Sequence, residues 1–195
     1  MKWMACLVVC LAQAATAAPL PRPDFHRLVY KLHEQQLANH TVRTEEKTGA
    51  YNGAAAAGYR FQIISYYDSQ TGRLLSRIQR DAALPEAIHI SEVNIYDPNG
   101  RLIRDYLSIA PPWNPTFPSN AYLNLHHYNG KLHSFRQFEL DGQVNYEFCE
   151  GEWEGKPVRI SLPWEDMKKE TSSTAEYQAC FGGMSKDWKQ YITPH

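Results

Sequence analysis

Two histidines, His126 and His133, flank an Asn129-Gly130 pair, and their spacing bears directly on chemistry. A two-residue turn at Asn129-Gly130 pairs Tyr128 with Lys131 and so sets His126 directly across from His133, with Cβ atoms about 5 Å apart. Two imidazoles at that separation can share a copper or zinc ion. Two ligands do not close a site, and a solvated polar pair is the competing reading. His127 falls on the other face, beside Leu125 and Leu132. A second set, His26, Tyr30, His33, Leu37 and His40, recurs in steps of four, three, four and three. It lines one helical stripe next to Phe25, Leu28 and Leu32 and reads as a polar border to a buried face. Residues seven apart on a helix are separated by roughly 10 Å, too far for one ion.

Glu150, Glu152 and Glu154 alternate beside Trp153, which would put three carboxylates on one face of an extended strand. Paired carboxylates can hydrolyse glycosides, but a charged edge that discourages strand-to-strand association is the simpler reading. No Gly-x-Ser-x-Gly elbow, phosphate loop or His-Glu-x-x-His motif occurs, so no catalytic residue is assigned. The segment from Ala110 to Asn120 carries Pro111, Pro112, Pro115 and Pro118, which cannot donate ladder hydrogen bonds. It reads as a stiff loop presenting Trp113 and Phe117, with Tyr122 following. Stiff aromatic loops bind partners at low ordering cost, so these three are the expected contact residues.

The start of the chain reads as an export signal over residues 1–17. Lys2 precedes an apolar run from Met4 to Leu11, and Ala15-Thr16-Ala17 fits the small-x-small cleavage rule. Cleavage there leaves about 178 residues, enough for one domain with a substantial core. Two cysteines would remain, Cys149 and Cys180, and an even pair in an oxidising compartment is expected to form a disulfide. The formal net charge is -1. It supplies no basic field for nucleic acid, and the apolar run is too short for stable membrane insertion.

What must position these groups is a series of β-hairpins. Three units repeat an aromatic strand, a tight glycine turn, a basic residue and a leucine: Tyr67-Asp68-Ser69-Gln70-Thr71-Gly72-Arg73-Leu74, Tyr96-Asp97-Pro98-Asn99-Gly100-Arg101-Leu102 and Tyr128-Asn129-Gly130-Lys131-Leu132. Looser echoes follow at Asp141-Gly142-Gln143-Val144 and Glu154-Gly155-Lys156-Pro157-Val158. This predicts a mainly β fold, an antiparallel meander that is either an open sheet or barrel-like. In the first hairpin Tyr67 faces Leu74 and Ile63 faces Ile78; in the second Ile95 faces Ile103 and Asp97 faces Arg101. Pro23-Asp24 opens a helix running to about Asn39. Residues 18–58 are thus read as this helix plus a flexible Gly/Ala connector from Thr48 to Gly58. Residues 59–195 are read as the hairpin domain, with a disulfide-tethered tail of short helical turns around Glu165 to Lys169, Ala175 to Phe181 and Ser185 to Tyr191.

Over about residues 59–162 these units resemble MORN-type repeats, in which a tyrosine-rich hairpin carries Asn-Gly-Lys or Asp-Gly-Lys at its turn. Tyr128-Asn129-Gly130-Lys131-Leu132 and Glu150-Gly151-Glu152-Trp153-Glu154-Gly155-Lys156-Pro157 are the nearest matches. The Tyr-Asp and Gly-Arg-Leu elements are also similar to the YD repeats of large secreted shell proteins. That resemblance implies a scaffold or interaction surface and brings no catalytic residues with it. The expectation is therefore a periplasmic or secreted, non-catalytic binding module that contacts a protein partner or an envelope polymer and needs no cofactor. The alternatives are a cell-envelope enzyme acting on a polysaccharide or peptide, and a periplasmic copper- or zinc-binding protein using His126 and His133.

Overall fold

A computed structural model describes residues 21–51, 58–163, 166 and 169–192. The export signal read over 1–17 and the Gly/Ala run 52–57 lie outside the described residues, as does most of the helical turn expected at Glu165 to Lys169. The described residues form α1 (Arg22–Asn39) and then nine strands. These are β1 (Val42–Ala50), β2 (Arg60–Asp68), β3 (Leu74–Asp81), β4 (Ile88–Tyr96), β5 (Leu102–Ile109), β6 (Asn120–Asn129), β7 (Leu132–Glu139), β8 (Val144–Trp153) and β9 (Lys156–Pro163). Two short helices, α2 (Lys169–Ser172) and α3 (Ala175–Phe181), and a 3-10 turn at Lys189–Tyr191 follow among the described residues. The strands pair in sequence order as one antiparallel meander, and the sheet stays open, with β1 and β9 as its edges. No helix among the described residues is long and apolar enough to cross a membrane.

The turn glycines produce the hairpins they predict, but bulges shift the registers. In the first hairpin Tyr67 does face Leu74, and a bulge then pairs Ile64, not Ile63, with Ile78. In the second, a bulge beside Tyr96 sets Ile95 against Arg104 instead of Ile103. Asp97 still meets Arg101, whose Nε donates to the carboxylate at 3.0 Å. Each bulge adds one residue to one strand and turns the following side chain to the other face. β1 is an almost wholly exposed edge strand; its last residues, Thr48 to Ala50, expected in the flexible connector, instead pair with Gln62, Phe61 and Arg60 of β2. Its charged run Glu45-Glu46-Lys47 discourages pairing with another chain. Gly49 within it lets the Phe61 ring lie on the backbone, where a Cβ would come within 2.4 Å of the ring.

The helix docks on the sheet and crosses it diagonally. Arg22 donates to the carbonyl of Ser119 at 2.7 Å, and a ring nitrogen of His26 lies 2.8 Å from the Ser108 hydroxyl on β5. His33 makes the same contact with Ser76 on β3 at 2.8 Å, and His40 reaches Asp68 at the end of β2 at 3.1 Å. The trough beneath is built from small side chains, Ser76, Ser91, Ser108 and Ala121, all buried. That lets the helix settle close enough for Phe25, Leu28 and Val29 to enter the core. Burying Phe25 fully contributes about 1.5–3 kcal/mol. Farther along the same face, Cys180, Phe181, Met184 and Trp188 of the tail pack over β6 to β8.

His33 is therefore not a border residue but a core one, 4% exposed. The serine hydroxyl gives it a hydrogen-bond partner that a fully apolar sheet face would have denied it. Burial, with Arg80 nearby, lowers its pKa to about 4. Burial also lowers His26 and the fully buried His89. An unfolded imidazole takes up its proton near 6.5. Stability is thus fully present above that pH and drains away as the pH falls toward 4. His33 alone accounts for about 2 kcal/mol of that loss after allowance for solvent screening. Urea denaturation at about pH 7.5 and about pH 4.5 should show the loss, and His33→Gln should flatten the dependence. Identical pH slopes in the two proteins would exclude His33 as its source.

Candidate functional site

Consecutive hairpins place alternate connections at opposite ends of the sheet, so the β3–β4 and β5–β6 loops share one end. Among the described residues the exposed large hydrophobics are Leu84 at 56%, Trp113 at 58% and Phe117 at 54%. All three lie on those two loops. Between the loops and the outer side of α1 runs a groove of about 600 Å³, lined by Pro23, Tyr30, Lys31, Ile88, Pro115 and Thr116 among others. The β5–β6 loop is held by successive turns. The amide of Asn114 donates to Pro111 at 3.0 Å, that of Phe117 to Asn114 at 3.3 Å, and that of Ser119 to Ile109 at 2.8 Å. Pro118 is buried and Arg22 clamps the loop from the helix. Trp113 and Phe117 are thus presented on a loop with fixed backbone.

Tyr122 is placed differently. It lies on β6 opposite Leu107 and Glu139, on the sheet face turned away from α1. It is half-buried, and its hydroxyl accepts from Asn120 at 3.0 Å. The structure therefore brings Leu84, Trp113 and Phe117 to one end and sets Tyr122 on another surface.

The β6–β7 hairpin corrects the cross-strand assignment. Asn129 pairs with Leu132, Tyr128 with His133 and His126 with Phe135, so Gly130-Lys131 is the two-residue loop. The reason is local: only Gly130 takes a left-handed conformation, with φ of 58°. Glycine first in the loop is the type II′ pattern, whereas the Asn-Gly reading needed Asn129 to be left-handed as well. The shift is by two residues in total, so His126 and His133 keep a common face as diagonal neighbours. Their facing nitrogens, Nδ1 and Nε2, lie 3.0 Å apart. The other nitrogen of His126, Nε2, contacts the Asp105 carboxylate of β5 at 2.7 Å. Both nitrogens of His126 are therefore engaged, and a metal ion would have to displace one partner. Among the described residues no group of three or more His, Cys, Asp or Glu side chains is arranged to hold a metal. Burial lowers the pKa of His133, His126 adds to the effect, and Glu150 opposes it. His127 faces the α1 side, against Gly183 of the tail.

The three glutamates do not share a strand face. Glu154 sits in the β8–β9 turn with φ of 50°, because Trp153 pairs with Lys156 and leaves Glu154-Gly155 as the loop. Glu152 pairs with Lys131 at 2.9 Å in solvent, and Glu150 stands across from His133. Cys149 and Cys180 form a disulfide that ties α3 to β8.

Sequence reasoning missed two arrangements. One is Asp105, whose partnership with His126 depends on the register across the proline-rich loop; no spacing rule reaches over that distance. The other is a buried ion pair, Arg136 with Glu147, under the tail. A charged residue at an inward position of an alternating strand was its only available signal. Comparison with protein-family models, curated proteins and solved structures finds no match.

Proposed function

We propose that the protein is an exported binding module that contacts a protein partner or an envelope polymer through the end of the sheet carrying Leu84, Trp113 and Phe117. The observation that carries this reading is the gathering of these exposed large hydrophobics on two neighbouring loops beside the α1 groove. Large rings already held in an exposed position lose little freedom on binding, and such rings dominate contact energies. A periplasmic or secreted location fits the amino-terminal pattern and the disulfide. The MORN-like and YD-like turns accord with a scaffolding role, the hairpins serving to hold the loops.

The test is capture from an envelope extract on immobilised protein, comparing wild type with a Trp113→Ala/Phe117→Ala double variant. Loss of the two rings is expected to weaken capture of the bound species at least tenfold. Tyr122→Ala, on the other face, should have little effect. Undiminished capture by the double variant would remove these residues from the contact surface.

A further inference from the structure

The open face of the sheet holds a chain of titratable groups that the loop-end reading does not use. Asp105 on β5, His126 on β6 and His133 on β7 are linked by contacts of 2.7 and 3.0 Å. Hydrogen-bond polarity sets their protons. An ionised carboxylate can only accept, so Nε2 of His126 carries hydrogen. Neutral His126 then has its lone pair on Nδ1, so Nε2 of His133 must donate to it. That leaves Nδ1 of His133 bare, with no hydrogen-bond partner for it among the described residues. The two rings lie within 9° of coplanarity with centroids 5.3 Å apart. With nitrogens at 3.0 Å this is an end-on arrangement, suited to an in-line hydrogen bond.

The chain is also braced. Asn124 donates to the second Asp105 oxygen at 2.6 Å, Gln137 donates to Asn124 at 3.1 Å, and Asn145 donates to Gln137 at 2.7 Å. The side chains of His126 and Asp105 are only 8% and 15% exposed, and His133 is half-buried. A carboxylate held by a row of amides and joined through one imidazole to a second is a preorganised polar array.

We propose that Asp105, His126 and His133 form a proton relay, with Nδ1 of His133 acting as general base toward an O–H donor, either water or the hydroxyl of a small polar ligand. In the step, the donor's O–H bond breaks, its electron pair stays on oxygen, and the proton forms an N–H bond at Nδ1 of His133. The Nε2 proton of His133 can then pass to Nδ1 of His126, whose own Nε2–H stays on Asp105. One positive charge is shared by two rings against one carboxylate. A second proton would break the bond between the rings, so the pair takes up one and resists another. Glu150 faces His133 from β8 and favours the charged form. Tyr128 stacks on His133 from β6, with ring centroids 4.7 Å apart. Arg101, from the β4–β5 connection, lies over the Tyr128 ring, 5.2 Å from its centroid.

This proposal rests on the β5–β7 face and is independent of the loop-end reading. Long-range ¹⁵N–¹H NMR of the full chain reads the tautomers directly. Both rings are expected to carry hydrogen on Nε2 at neutral pH, and the pair to take up one proton well before the second. Asp105→Asn should weaken that first protonation roughly tenfold. It should also slow carbethoxylation of His133 by diethyl pyrocarbonate several-fold while leaving His127 unchanged. Hydrogen on Nδ1 of His133, or two rings titrating independently in wild type, overturns the relay. So does an Asp105→Asn variant with native circular dichroism and unaltered titration. If that variant does not fold, the wild-type tautomers decide the matter alone.

Discussion

Replacing Arg136 with methionine is expected to destabilise the fold by about 3–5 kcal/mol, among the largest single-residue effects in the molecule. Arg136 and Glu147 face each other across β7 and β8 beneath the tail, each with only 2% of its side chain exposed. Nε of Arg136 donates to Glu147 at 2.6 Å. Its Nη1 donates to the backbone carbonyls of Met184 and Ser185 at 3.3 and 3.0 Å. The second Glu147 oxygen accepts from the Tyr177 hydroxyl at 2.7 Å. Burial and that carboxylate together raise the Tyr177 pKa to about 12, so the phenol remains a donor across the working range. One buried pair thus joins the sheet, α3 and the loop after it. Removing only the cation leaves a buried carboxylate without its main partner, which costs far more than the pair contributes. The double variant Arg136→Met/Glu147→Leu should recover much of the loss, since neither charge then remains to be desolvated. Urea denaturation of the four proteins in the cycle checks this. Equal destabilisation by the single and double variants would mean that packing, not the stranded charge, sets the cost.

Removing the Cys149–Cys180 bond is expected to cost about 3–4 kcal/mol by the chain-entropy estimate. The bond closes a sequence separation of 31 residues, and both cysteines are fully buried. Its structural consequence is concentrated in the tail. α3 has 7 residues, too few to be helical alone, so its order derives from docking. Its amino-terminal cap, the Thr174 hydroxyl accepting from the Tyr177 amide at 3.2 Å, is a modest local aid. A Cys149→Ala/Cys180→Ala variant should therefore lower the guanidinium midpoint and increase the denaturant slope, because the unfolded chain becomes more expanded. Amide exchange in residues 175–181 should accelerate more than exchange in β5 or β6. A loss under about 1 kcal/mol would show that Phe181, Met184 and Trp188 hold the tail without the covalent tie.

The meander was legible because glycine-bearing turns recur between aromatic strands, and the helix because Phe25, Leu28 and Val29 keep its period. The exposure of Trp113 and Phe117 was legible from the prolines around them. What escaped has physical causes. β1 is so polar at its exposed edge that alternation leaves no trace. The bulges beside Tyr66 and Tyr96 alter register after the turn, where turn chemistry no longer governs pairing. At Gly130 two turn types compete for the same residues, and the choice moves His133 from opposite His126 to opposite Tyr128. The burial of His33 depends on serines arriving from three different strands, a coincidence created only by the sheet. Asp105 reaches His126 for the same reason.

The contact end is tested most directly by placing a photo-crosslinking amino acid at position 113, at position 117 and, as a control, at Gln70 in the β2–β3 turn at the opposite end of the sheet. Irradiation in an envelope extract should yield a discrete adduct from positions 113 and 117 and none from position 70. Adducts of equal yield from all three positions, or adducts from position 70 alone, would contradict the assignment of the Leu84, Trp113 and Phe117 end as the binding surface.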